Sequence, residues 1–548
     1  VEKMSENTKK GSFIKGAAIL TAAGLAARVM GFGYRVILTR IIGAEGMGLY
    51  QMAYPIYTVL LVVSRSGIPV ALAKLIADKI AADKKKEAYK IFKVARKMSF
   101  VIGLLISIVM ALSAKPLISL LSLDPRSYYA VLAISPAIFV VSIMASYRGF
   151  FQGLQDMVPT AKSQIFEQFI RMFTMIGLVI LLVPYGLDFA AAGASFGAVS
   201  GAIGGLIILL IIYSKRKEKI FTFLETGDDS VELSSKSIVQ KIVSLGVPIT
   251  LGALVMPLMS LVDLVFVPNR LQDAGFMIRE ATELYGMFSA VAMPLVNFPT
   301  IITVSLSASL VPAIAEAYTL GREKLIQYRT QTALRLTVLI SLPAAAGLFL
   351  LAEPLTEIIF AEPGAAVPLR FVSWGVFFIA LQQTSTGILN GIGKTSIPAK
   401  NLMVGAVFNA VINYTLTAIP SFGIRGAALG TSTGFAIAAF LNLYYVRKES
   451  GFRIDAKAMI IKPFTSVFLM GIFVKIFYNY LFVFLEKNSV DFAYSITTFV
   501  TVAAAALFYF VILLLFKEIK YNDLAMLPMF GKKLADSLVK IGVLKKDN

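Results

Sequence analysis

Apolar runs of about 20 residues recur along the whole chain, and they limit its fold more than any other feature. A helix of that length spans the hydrocarbon of a bilayer, and one soluble core cannot bury so many. Hydrophobic residues make up 57% of the 548 and charged residues 15%, against about 25% charged in an ordinary soluble domain. The expected fold is all-α and integral to the membrane, with about 14 transmembrane helices.

The segment after the polar residues 1–15 has no clear cleavage site and reads as the first span. Spans 1–6 form an expected N-lobe over 16–213, and spans 7–12 a C-lobe over 242–446. A basic linker, 214–241, separates them. Spans 13 and 14 lie in 447–516, and a basic tail covers 517–548. That tail reads equally as a short amphipathic helix on the membrane surface or as a solvated extension. Five spans matter most below: span 1 at 16–42, span 2 at 50–73, span 4 at 127–146, span 8 at 283–313 and span 11 at 401–420.

Lysine and arginine set the orientation. With the N-terminus inside, 39 of the 52 fall in cytoplasmic segments, eight fall outside and five within spans. Both termini are therefore expected in the cytoplasm, with the protein in the cytoplasmic membrane. The net charge of +20 follows from that topology and from attraction to anionic headgroups. Nucleic acid is not an expected partner. The chain has no cysteine and no histidine, which removes disulfides, thiol nucleophiles and Ser/His/Asp triads. No G-x-x-x-x-G-K-[ST] loop is present, so no cofactor is expected and no nucleotide drives the protein directly. A coupling monovalent cation or the membrane potential would supply the energy.

The two halves resemble each other. Gly153 to Lys162 matches Gly391 to Lys400, and Gly193-Ala194-Ser195 matches Gly430-Thr431-Ser432. Ile68-Pro69-Val70-Ala71 matches Val311-Pro312-Ala313-Ile314 less strongly. Six spans separate the copies, so they keep one orientation and form a parallel pseudo-two-fold repeat.

Charges at membrane depth are the candidate functional groups, since each costs about 2.5–3.5 kcal/mol at mid-helix and needs a partner or a wet cavity. Arg28 and Arg35 lie two turns apart on one face of span 1, and Arg65 lies in span 2 between Ser64 and Ser66. The arginine fork suits phosphate and pyrophosphate, so these three are the candidate substrate ligands. Snorkelling or structural pairing is the competing reading. Asp263 and Glu283 are candidate cavity or ion-coupling carboxylates. Glu167 and Arg171, spaced i,i+4, read as an intrahelical ion pair. Gly31 and Gly33 in span 1, Pro248 and Pro257 in span 7, and Pro294 and Pro299 in span 8 are candidate hinges.

The run Ala27-Arg28-Val29-Met30-Gly31-Phe32-Gly33, followed by Thr39-Arg40-Ile41-Ile42-Gly43-Ala44, resembles the first helix of the lipid flippases of the multidrug/oligosaccharidyl-lipid/polysaccharide exporter superfamily. Gly67-Ile68-Pro69-Val70-Ala71 and Leu295-Val296-Asn297-Phe298-Pro299-Thr300 resemble its stage V sporulation protein B and polysaccharide exporter branch. The resemblance implies two six-helix lobes with alternating access, and a role in sporulation or cell-wall synthesis. Arg28 matches the first arginine of the span-1 motif in the related lipid II flippases. Their second arginine falls at Tyr34, beside Arg35. Their span-2 arginine and their Arg-x-x-Glu pattern in span 8 have no counterpart here.

The expected function is export of undecaprenyl-pyrophosphate-linked envelope precursors, lipid II or a related glycan, with cell-wall synthesis machinery as a partner. A transporter is expected, not an enzyme. The alternatives are a cation-coupled multidrug exporter, which needs a cavity of carboxylates and aromatics, and a membrane glycan polymerase or glycosyltransferase, which needs acidic residues in a sizeable external loop.

Overall fold

The computed structural model describes residues 2–225, 233–452, 455–516, 518, 521 and 531–540. Parts of the expected linker and tail lie outside them. The described residues are almost entirely helical and contain no strand. They divide into two compact units, residues 1–269 with 277–286, and residues 270–276 with 287–548.

The first unit begins with α1 (Glu2–Arg65), α2 (Gly67–Ala81), α3 (Lys85–Leu120), α4 (Tyr128–Ile134) and α5 (Pro136–Gly153). It continues with α6 (Val158–Leu182), α7 (Leu187–Glu225), most of α8 (Ser235–Asp273) and α9 (Ile278–Gly286). At 64 residues α1 would measure about 96 Å, three times the bilayer core. Gly43 divides it, with φ 65° and ψ −179°. That region is open essentially to glycine alone. Helical geometry continues through the candidate hinges Gly31 and Gly33, and the break falls ten residues later.

The second unit contains α10 (Met293–Asn297), α11 (Thr300–Thr319), α12 (Glu323–Leu350), α13 (Ala352–Phe360), α14 (Ala366–Val372) and α15 (Gly375–Gly391). Then follow α16 (Ser396–Leu416), α17 (Ile424–Ser450), α18 (Lys462–Lys487), α19 (Ala493–Leu515) and α20 (Gly531–Lys540). Helix α20 lies within the expected basic tail. Buried polar side chains pair inside this unit: Asn401 donates to Asn442 at 2.9 Å, and Thr337 and Thr384 hydroxyls lie 2.7 Å apart.

Eleven helices among the described residues are long and apolar enough to cross a membrane, or twelve if Pro363–Val372 and Gly375–Gly391 form one bent span. That total counts Ile19–Ala81 once, although Gly43 breaks it. It omits α16, where Asn401, Asn409 and Asn413 dilute the apolar sequence. Span 8 is interrupted twice, by a π-helical turn over Met287–Ala292 and by Phe298 and Pro299. Pro294 opens α10 and Pro299 caps α11, whereas Pro248 and Pro257 sit inside the unbroken α8.

The repeat is present in the packing of each unit. A Cβ added at Gly153 would lie 2.7 Å from Ile76, and one at Gly391 would lie 2.9 Å from Ile314. Gly149 likewise touches Pro69, and Gly387 touches Ser307. Equivalent contacts thus pair Pro69 with Ser307, a correction of five residues to the Pro69–Pro312 match. Helix α8 as far as Asn269 groups with the first unit, beyond the expected lobe boundary at 242. Gly67 approaches Gly246 so closely that a Cβ would lie 2.2 Å from the Gly246 carbonyl, and Asn269 donates to the Leu121 carbonyl at 2.8 Å.

Candidate functional site

Helix α7 carries Gly193, Gly197, Gly201 and Gly205, one every four residues, along the face against α6. Such a stripe lets two backbones approach closely in lipid, where dispersion replaces hydrophobic driving force. A Cβ at Gly201 would lie 2.7 Å from the Glu167 carbonyl and 2.8 Å from the Arg171 Cβ. Ser163 ties the helices further, donating to the Gly205 carbonyl at 3.0 Å. This packing fixes the polar face of α6 inside the first unit.

Glu167 is the hub of that face. One carboxylate oxygen accepts from Arg171 at 3.0 Å and the other from Arg148 of α5 at 2.9 Å. Arg148 also donates to Ser163 at 2.9 Å. Both arginines are buried, at 8% exposure each, yet the Nε donor of each has no partner among the described residues. The intrahelical pair expected of Glu167 and Arg171 is present, as part of a larger cluster. Arg148 had been placed in a cytoplasmic loop, because the apolar window of span 4 stops at 146. Helix α5 runs on to Gly153 and carries it inside.

Two of the three arginines proposed from sequence join this cluster. Arg35 acts electrostatically on Tyr34, Tyr50 and Tyr54, and Arg171 on Tyr34, Tyr54 and Tyr57. Arg65 acts on Tyr57, Arg148 and Glu167 and makes no ion pair among the described residues. Tyr50, Tyr54 and Tyr57 form a ladder with successive ring centroids 5.8 Å apart. Three guanidiniums, of Arg148, Arg171 and Arg65, thus act on one carboxylate, a formal excess of two positive charges, and Arg35 shares Tyr34, Tyr50 and Tyr54 with Arg171. The tyrosines were not proposed as site residues from sequence, although their spacing places them along one side of span 2.

The remaining candidates lie elsewhere. Arg28 is exposed, with no hydrogen bond or ion pair among the described residues. Asp263 and Glu283 are half-buried on α8 and α9. A separate polar knot holds α1 against α9. Arg126 bridges Asp124 at 2.7 Å and Glu45 at 2.6 Å, Arg279 meets Glu45 at 2.9 Å, and Thr282 donates to Asp124 at 3.0 Å. Gly48 and Gly286 permit that contact, since a Cβ on either would lie within 2.2 Å of a carbonyl oxygen.

A multi-pass helical protein with internal repeats and a charged intramembrane cluster has the architecture of a membrane transporter. The chain belongs to the polysaccharide biosynthesis protein family, whose model matches residues 13–318, and a MatE model matches 289–415. Over 525 residues it is 30% identical to stage V sporulation protein B of Bacillus subtilis (strain 168), covering 95% of this chain and 99% of that one. It is 26% identical to the lipid II flippase MurJ of the same organism, covering 84% and 88%. Among solved structures, the inward closed lipid II flippase MurJ shares its fold with a TM-score of 0.66 at 16% identity, over 93% of this chain and 100% of that one. An inward-facing multidrug transporter of the MOP superfamily gives 0.60 at 16% identity, over 78% and 94%.

Proposed function

We propose that the protein moves a polyprenyl-pyrophosphate-linked envelope precursor, lipid II or a related lipid-linked glycan, across the cytoplasmic membrane, both termini lying in the cytoplasm. The arginine cluster of the first unit holds the pyrophosphate. The observation that carries this reading is the pair of unpartnered Nε donors on buried Arg148 and Arg171, beside Arg35 and Arg65. Unpaired guanidinium donors at membrane depth are expensive unless an anion or water meets them. Pyrophosphate oxygens accept such donors in the forked geometry that arginine offers. The polyprenyl tail stays in lipid, and an inside-negative potential or a coupling monovalent cation drives the headgroup outward.

Arg35→Gln and Arg65→Gln test the site, because neither side chain holds an ion pair among the described residues whose loss would unsettle the fold. Native mass spectrometry of the purified protein with lipid II, undecaprenyl phosphate and an organic cation in competition reads the preference. The wild type retains lipid II, and each substitution weakens it about tenfold or more, the worth of a charge-assisted hydrogen bond. Preference for the organic cation would sink this proposal and favour multidrug export through the tyrosine ladder.

A further inference from the structure

A second cationic feature stands apart from the arginine cluster, where α3 passes the first turn of α8. A cavity of about 590 Å³ opens there in the first unit, lined by Lys90, Lys93, Arg96 and Lys97 of α3 and by Ser235 and Val239 of α8. None of its lining residues is acidic. Its size lies within the usual range of ligand clefts, about 300–1,000 Å³.

The same face of α3 changes character along its length. Lys90, Lys93 and Lys97 follow helical spacing, and the next positions on that face are Val101, Leu105 and Ile108. Val101, Leu105 and Ile108 are all exposed large apolar side chains. The face therefore runs from cationic to apolar in the order of a phospholipid, headgroup first and acyl chains after. Tyrosines mark the depth of the boundary. Lys93 lies 4.6 Å from the centre of the Tyr89 ring, Arg96 donates to Tyr147 at 3.4 Å, and the Tyr89 and Tyr213 hydroxyls are 3.0 Å apart. The N-terminus of α8 adds the positive end of a 39-residue helix to the same cavity.

We infer that this cavity is a binding site for an anionic phospholipid of the inner leaflet, its phosphodiester held by Lys93 and Lys97 with Lys90 and Arg96, and its acyl chains lying along Val101 and Leu105. Four cations with no acidic side chain among the described lining residues favour a phosphodiester that keeps its negative charge over a zwitterionic headgroup. A basic pocket between transmembrane helices on the cytoplasmic side is where such headgroups dock.

The test uses the full chain, stripped of lipid in detergent and offered phosphatidylglycerol and phosphatidylcholine of identical acyl composition, with native mass spectrometry as the readout. The wild type retains phosphatidylglycerol in preference. Lys93→Gln with Lys97→Gln lowers that preference by about thirtyfold, and Lys93→Arg with Lys97→Arg restores it. Arg447→Gln with Lys448→Gln removes two exposed charges at the end of α17 and leaves the preference unchanged. Equal losses in the two glutamine pairs would mean diffuse surface attraction and would overturn the inference. So would unchanged binding in Lys93→Gln with Lys97→Gln. Displacement of phosphatidylglycerol by inorganic pyrophosphate would assign the cavity to a soluble phosphate. Displacement by undecaprenyl pyrophosphate would assign it to the transported lipid. Either result overturns the phospholipid assignment.

Discussion

Glu167→Gln removes the one carboxylate that Arg148 and Arg171 share, at 2.9 and 3.0 Å. The amide fills nearly the same space, so the change is one of charge. Each lost hydrogen bond between charged partners is worth about 1.5–3 kcal/mol. Removing one partner of a buried ion pair costs about 3–5 kcal/mol, since the remaining charge keeps its desolvation penalty. Here two guanidiniums are left facing each other with Arg65 close by, so the upper half of that range is expected. For a cooperative unit of 150–250 residues, each kcal/mol moves the melting temperature by about 2–4 °C, which gives a fall of roughly 8–20 °C. Differential scanning fluorimetry of the detergent-purified protein measures it. Added inorganic pyrophosphate should recover more of the melting temperature in the variant than in the wild type, because a second anion then meets the arginines. A melting temperature unchanged by the substitution would show that Glu167 does not hold the two arginines. Equal pyrophosphate shifts in both proteins would separate this cluster from the proposed headgroup site.

Gly201→Ala should destabilise the protein by about 1–3 kcal/mol, read by the same melt, because the obstructing Glu167 carbonyl is backbone and cannot swing aside. Gly43→Ala should cost about 1–3 kcal/mol through backbone strain, whereas Gly33→Ala, with open space around its Cβ, should leave the melt unchanged. Gly48→Ala should release Thr282 from Asp124 by forcing α9 away from α1, detected as faster hydrogen exchange over Ile278–Gly286.

Much of this architecture can be read from the sequence, because lipid imposes one simple rule on every span. The apolar runs announce the helices, and the turn shared by Gly153–Lys162 and Gly391–Lys400 recurs in the structure as equivalent close contacts of Gly153 and Gly391. Sequence also found the Glu167–Arg171 pair, and it named Arg65, which acts on Glu167, and Arg35, which shares its tyrosines with Arg171. It missed Arg148 because a hydropathy window ends where charge begins, while the helix ends only at Gly153. Hinges were sought where glycine is frequent, at Gly31 and Gly33, yet helical sterics tolerate glycine there and the actual break needs the φ and ψ of Gly43. The Pro69–Pro312 match followed identity of residue, whereas packing aligns Pro69 with Ser307, a pairing with no visible likeness.

The glycine stripe of α7 has a consequence for how the chain enters the bilayer at all. Glu167 and Arg171 lie about 14 and 20 Å along α6, too far from its start for either charge to escape easily to water. Alone, α6 would carry two ions into the hydrocarbon, each opposed by about 2.5–3.5 kcal/mol. Arg148, on the helix synthesised just before, gives the Glu167 carboxylate a second donor, and α7, joined through the short turn Val183–Tyr185, screens the cluster from lipid by lying flush against α6. The insertion machinery therefore has to retain α5 until α7 has emerged, and these three helices are the smallest piece that leaves it with both oxygens of Glu167 partnered.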